Sequence, residues 1–222
     1  YKIIIVLAGM HNNLRSQTQM RIDEEVLGFE TSIEYLRQKA GLVPSIIGVG
    51  TLNFKMDKSI EALTSRDEKG DFTKGRAGVS RQYDQPKIFI VKKQSKVLQY
   101  VYDNLSKNHA AVQSPDGTSL FPCEYSLLVI DDEADQASVN TKYKTDRSGE
   151  ISDDSEVSKI NELIRRILSL FSCRSYVGYT ATPYANVFIP PQISDAELED
   201  DLFPKDFIVC LPKPAGYVGA ME

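Results

Sequence analysis

The sequence predicts an α/β protein built on a doubly wound, mostly parallel sheet flanked by helices. Short β-branched runs bounded by turn residues recur along the whole chain. Several are apolar at successive positions instead of alternating, as expected when helices cover both faces of a parallel sheet. Amphipathic stretches separate the runs, and strands alternating with helices imply crossover connections.

Taken in order, residues 3–7 form the first predicted strand, a run of Ile and Val closing on Leu7. Leu14, Ile22, Val26 and Phe29 then recur near helical spacing behind Asn13, which suits an N-cap. Residues 45–49 and 87–91 are the next two strands. Gly48-Val49-Gly50 follows the first of these, but Asn53 stands where a dinucleotide fingerprint needs its third glycine, so the segment reads as a strand end. Val97, Leu98, Val101, Tyr102 and Leu105 make a second helical stripe. Residues 125–130 form a strand. After Ser155, the positions Val157, Ile160, Leu163, Ile164, Ile167, Leu168 and Phe171 give the widest apolar face, with Arg165 and Arg166 on its wet side. Residues 175–179 and 207–210 complete the predicted strands. Residues 64–86 and 139–156 are charged and lack apolar period, and both are expected as surface loops, the second either a mobile element or a solvated insertion.

Composition narrows the class. Hydrophobic residues make up 41% of 222 and charged residues 26%, which fits neither a disordered nor a collagen-like chain. A chain of this length buries about 70% of its unfolded surface. The apolar runs are strand-sized, well short of the about 20 residues that span a bilayer, so no membrane partner is expected. Cys123, Cys173 and Cys210 are isolated in sequence and odd in number, which suits reduced core thiols in a cytoplasmic protein. With only His11 and His109 beside them, no zinc site is expected. A formal net charge of -5 provides no general basic field, so a nucleic-acid contact needs a local patch.

The chemistry concentrates in Leu127-Leu128-Val129-Ile130-Asp131-Asp132-Glu133-Ala134-Asp135, where a strand delivers carboxylates at its carboxyl end. Open α/β sheets bind their ligands there. Phosphoryl-transfer enzymes of the P-loop class need a carboxylate to hold Mg²⁺, usually through water, and a group that orients or deprotonates the attacking water. Asp132 suits the first role and Glu133 the second. The same cluster also reads as an acidic strand end that caps the next helix. Further on, Thr180-Ala181-Thr182-Pro183 ends another strand; its hydroxyls suit bonds to a neighbouring acidic loop, and equally suit plain turn chemistry.

Asp132-Glu133-Ala134-Asp135 resembles motif II, the Walker B element, of superfamily-two helicases, and Thr180-Ala181-Thr182 resembles motif III. Leu14-Arg15-Ser16-Gln17 is similar to motif Ia, which in that superfamily contacts a nucleic-acid backbone. The longer strings around them, over residues 6–19, 130–141 and 178–186, resemble the Z-one domain endonuclease family, large bacterial proteins whose helicase-like core is linked with restriction-modification and DNA repair. That resemblance runs across most of the chain. It implies a single RecA-like domain of the P-loop NTPase type over residues 1–222, the first helicase domain, with motif Ia near 6–19, motif II at 132–135 and motif III at 180–182. It further implies that Asp132 holds Mg²⁺ through water, that Glu133 activates water, and that Asp135 with Thr180 and Thr182 couples nucleotide state to nucleic-acid binding.

The phosphate loop Gly-x-x-x-x-Gly-Lys-Ser/Thr that holds nucleotide phosphates is absent from the sequence. The chain also begins at Tyr1, already inside a strand pattern. The domain is therefore expected to be truncated, with Mg²⁺ and ATP as cofactors of the full-length protein and neither held tightly by this segment. DNA is the expected partner, met by Asn12, Asn13, Arg15 and Gln17 at the start of the first helix, where amides and the helix dipole favour phosphate. Each of the four also reads as capping or as an exposed polar face. Lys92 and Lys93 add charge there or simply end a strand in solvent. Two alternatives stand beside the ATPase. One is a metal-dependent endonuclease, for which Asp67-Glu68-Lys69 is the nearest acid-x-Lys match; the other is a non-catalytic nucleic-acid-binding scaffold.

Overall fold

The computed structural model describes residues 1–32, 44–52, 60–74, 85–107, 112–113, 119–136, 155–182, 202 and 205–212. Its centre is a sheet of five parallel strands: β1 (Ile3–Ala8), β2 (Glu61–Ala62), β3 (Lys87–Val91), β6 (Leu127–Asp132) and β7 (Arg174–Tyr179), in the order β2-β3-β1-β6-β7. β4 (Val112–Gln113) and β5 (Ser119–Leu120) form a separate antiparallel pair. Among the described residues three α-helices accompany them: α1 (Asn12–Ile22), α2 (Ser95–Ser106) and α3 (Ser155–Ser169).

Alternation along the strands sorts the core into two layers. Ile3, Ile5 and Leu7 of β1 share one face with Phe89, Val91, Leu127 and Val129, and this face is covered by α2 through Val97, Leu98, Val101 and Leu105 and by α3 through Ile160, Leu163, Ile164 and Ile167. Val6 and Ala8 turn the other way with Ile88 and Ile90, under Ile22, Leu27 and Phe29 at the end of α1 and just beyond. The chain leaves β1 toward β3 with α1 on one face, then passes back across β1 to β6 and on to β7 with its helices on the other. Reversing direction while switching faces is what right-handed crossovers require. Because the connections from β1 and β6 run in opposite directions, their carboxyl ends define a topological switch point.

The structure bears out an α/β fold with a parallel sheet. Five of its differences from the sequence expectation have identifiable causes. Residues 45–49 are not a sheet strand; Ile46 makes one antiparallel bridge to Phe29, and Gly48–Thr51 is a 3₁₀ turn. A Cβ on Gly50 would stand 1.9 Å from the carbonyl oxygen of Gly28, so the glycine lets this turn lie directly on the backbone after α1. Residues 207–210 form no strand, and Phe207, Ile208 and Val209 are exposed. The stripe expected on α1 holds only in part: Ile22 and Phe29 pack in the core, but Leu14 and Val26 are exposed, whereas Arg15, Gln19 and Asp23 are wholly buried. Residues 64–74 are not a solvated loop, since Thr64, Ser65, Asp71 and Phe72 are buried. Cys123 and Cys173 are joined in a disulfide and Cys210 is exposed, in place of three reduced core thiols. Cys123 lies in the turn before β6 and Cys173 just before β7, so parallel pairing brings the two cysteines side by side despite 50 residues between them.

The loop expected over 139–156 lies outside the described residues as far as 154, and residues 155 and 156 belong to α3. Among the described residues no helix is long and apolar enough to cross a membrane.

Candidate functional site

The carboxyl ends of β1, β3, β6 and β7 meet at one edge of the sheet. β6 alternates, so Leu127, Val129 and Asp131 point inward while Asp132 emerges exposed at the tip. Asp132 Oδ1 accepts the amide of Glu133 at 3.1 Å, which orients the carboxylate. Glu133 itself has φ 53°, the one left-handed non-glycine among the described residues. Such a backbone persists only where its surroundings hold it.

The surroundings are explicit. A Cβ on Gly9, the residue after β1, would stand 3.2 Å from Glu133 Oε2, so the missing side chain leaves room for the glutamate across the switch point. Ala134 is buried and its amide donates to Tyr179 O at 2.9 Å. A Cβ on Gly178 would come 2.9 Å from the Ala134 methyl, so the small residue of the acidic turn and the glycine of β7 need each other.

Asp135 then meets the threonine turn. Thr180 Oγ1 donates to its Oδ1 at 2.7 Å and Thr182 Oγ1 to its Oδ2 at 2.6 Å, so both carboxylate oxygens are engaged by the turn that ends β7. Burial pushes the Asp135 carboxyl up, but the two threonine hydrogen bonds, its own amide and the charge of Lys93 together outweigh that and hold it below the ordinary carboxylate range. A carboxylate depressed in the folded state contributes stability above its unfolded pKa and loses it as pH falls through the folded value. In Thr180→Val/Thr182→Val the burial effect is less opposed, so the Asp135 titration midpoint is expected to rise, and the stability gap between variant and parent to close on acidification. Carboxyl-carbon NMR across acid pH measures the midpoint and denaturant unfolding at the same pH values measures the gap; an unmoved midpoint would contradict the assignment.

Beneath the tip lies a cluster that sequence reasoning missed. Asp131 is wholly buried, its Oδ1 3.1 Å from the ammonium of Lys93 and its Oδ2 accepting the Tyr176 hydroxyl at 2.6 Å. Lys93 is not a solvated strand end: its side chain has no exposure. Strand alternation carried the clue, since it sets Asp131 on the inward face with Leu127 and Val129, where a charge requires a partner.

At the start of α1 the expected nucleic-acid contacts divide. Asn13 and Gln17 are exposed, and Asn12 is half-buried, its Oδ1 accepting from Lys92 Nζ at 2.9 Å. Arg15 is a correction. It has no exposure, and its guanidinium donates to the carbonyls of Ser65 at 2.9 Å and Asp67 at 2.5 Å. Burial lowers its pKa, opposed by the carboxylates of Asp71, Asp67 and Asp23. Around it, Gln19 Nε2 donates to Asp23, Thr64 donates to Gln19, and both Thr31 and Arg66 donate to Asp23. This buried polar network is why the inward face of α1 is not apolar. Asp67-Glu68-Lys69 lies in the turn that Arg15 grips, with the Asp67 carboxylate accepting from the Ser65 hydroxyl and Glu68 and Lys69 exposed.

The fold and the edge together define the chain as an α/β protein with its acidic turn at a parallel-sheet switch point. The chain matches no family model, no curated protein and no solved structure. Among the described residues no group of three or more His, Cys, Asp or Glu is arranged to hold a metal ion. One exposed carboxylate that binds through water does not need such a group; Asp132, a hard oxygen donor already oriented by a backbone amide, fits a hydrated Mg²⁺. The sequence holds no glycine-rich phosphate loop, so the residues present do not supply a cradle for nucleotide phosphates.

Proposed function

We propose that the chain is the acidic half of a magnesium-dependent ATPase site in a bacterial DNA-processing protein of the restriction-modification or repair type, acting in the cytoplasm with DNA as its partner. The reading takes the domain as RecA-like. The observation that carries it is the double hydrogen bond from Thr180 and Thr182 to Asp135, which joins the acidic turn after β6 to the threonine turn after β7. Glu133, held left-handed across Gly9, supports it.

In this reading Asp132 would hold Mg²⁺ through its water shell, and the chemistry supplied there would be positive charge to offset what develops on the phosphates. Glu133 orients the attacking water and accepts its proton. Asp135 transmits the state of the acidic turn to β7 through the two hydroxyls. Asn12, Asn13 and Gln17 meet the DNA backbone at the start of α1, whereas Arg15 holds the helix from within.

The test is Mg²⁺-dependent, DNA-stimulated phosphate release by the full-length protein. Asp132→Asn is expected to lower it by about a hundredfold or more at fixed Mg²⁺, several kcal/mol of transition-state stabilisation being the usual worth of such an ion. Turnover that survives the substitution at the same Mg²⁺ concentration contradicts the proposal.

A further inference from the structure

We propose that Lys93 is a positioning residue for the acidic turn, holding Glu133 in its left-handed conformation from beneath the sheet edge. The inference rests on the reading of Glu133 as the residue that activates water.

The ammonium of Lys93 stands 3.1 Å from Asp131 Oδ1 and donates to the carbonyls of Glu133 at 2.5 Å and Gln136 at 2.9 Å. Three oxygens surround it, two accepting its N–H groups and the third its partner in an ion pair. Two of them are main-chain oxygens at the start and end of the same four-residue turn, so the lysine clasps the turn at both ends. The third, Asp131, is tied in turn to β7 by the Tyr176 hydroxyl at 2.6 Å. The backbone of Lys93 acts on the other side of the site: its amide donates to Gly9 O at 2.7 Å, fixing the glycine against which the Glu133 carboxylate lies. One residue therefore sets both members of the Glu133–Gly9 contact. With no exposure of its side chain, Lys93 acts through the turn and not on a ligand.

Burying an ammonium and a carboxylate is costly, and apolar replacement of a buried pair often leaves stability unchanged or improved. Two buried charges kept at this place suit a demand for conformation more than for stability. Both carbonyls turn toward the buried ammonium, and holding them there fixes the backbone that carries Glu133.

Lys93→Met alone strands Asp131 as an unpaired buried charge, so the informative variant is Lys93→Met/Asp131→Asn, which removes both charges and leaves Tyr176 an acceptor. In the full-length protein this variant is expected to lower kcat by about a hundredfold, as small misplacements of reacting groups do. KM should stay within about threefold, because no ligand contact is lost. Hydrogen exchange at the Gln136 amide, which donates to Glu133 O, should rise about tenfold or more while the β1 and β3 amides keep their protection. A kcat within about threefold of the parent, or an unchanged Gln136 exchange rate, overturns the inference. Glu133→Gln run in parallel separates the two readings. Turnover lost in Glu133→Gln but kept in the double variant removes Lys93 alone, whereas turnover kept in Glu133→Gln removes the role of Glu133 and with it that of Lys93.

Discussion

Glu133→Gln is expected to reduce the ATP hydrolysis proposed for the full-length protein about 10²- to 10⁴-fold, the usual worth of a positioned proton acceptor, with folding preserved. Gln keeps the shape of Glu and fills the same space beside Gly9. The left-handed backbone at φ 53° is no harder for Gln than for Glu, and the contacts that impose it come from Lys93 and from the neighbouring amides. What the substitution removes is the ability to take a proton. Single-turnover phosphate release together with thermal melting checks this: the expected result is lost turnover at an unchanged melting temperature. Undiminished turnover would show that Glu133 is an acidic strand end and nothing more.

The second large effect is on stability. Arg15→Ala removes the donor that satisfies Ser65 O and Asp67 O and leaves Asp23, Asp67 and Asp71 with less positive charge nearby. Breaking a buried, hydrogen-bonded charge network of this kind costs about 3–5 kcal/mol. For a chain of this size that corresponds to a fall of about 10 °C in melting temperature. Gln17→Ala, two residues on and exposed, should stay within about 0.5 kcal/mol of the parent. Denaturant titration of the two variants separates them. Arg15→Ala melting with the parent would mean that its guanidinium is free to face outward as a phosphate contact.

How much of this was legible in the sequence depends on how far each interaction reaches along the chain. Strands 3–7 and 87–91 and the stripes on α2 and α3 were readable because each needs only its own residues. Residues 45–49 and 207–210 carry the same β-branched composition, yet pairing depends on neighbours that composition does not name. The acidic and threonine turns were visible as contiguous motifs, and their meeting follows from β6 and β7 lying side by side. Arg15 misled because helical periodicity, read through apolar residues, takes a charged position as the wet one; its partners are main-chain carbonyls about 50 residues away. Asp131 lies on β6, Tyr176 on β7 and Lys93 just beyond β3, and only the sheet order β3-β1-β6-β7 brings the three together.

The bridge between Cys123 and Cys173 sits at the opposite end of β6 and β7 from the acidic and threonine turns. Two adjacent strands riveted at the base and paired along their length as far as Asp132 and Tyr179 cannot slide past each other; the motion left to the two turns lies beyond that last pair. Any change of state passed between the two turns would then be a widening or narrowing of the gap at the tips, largest where Asp135 faces Thr180 and Thr182 and vanishing toward the sulfurs.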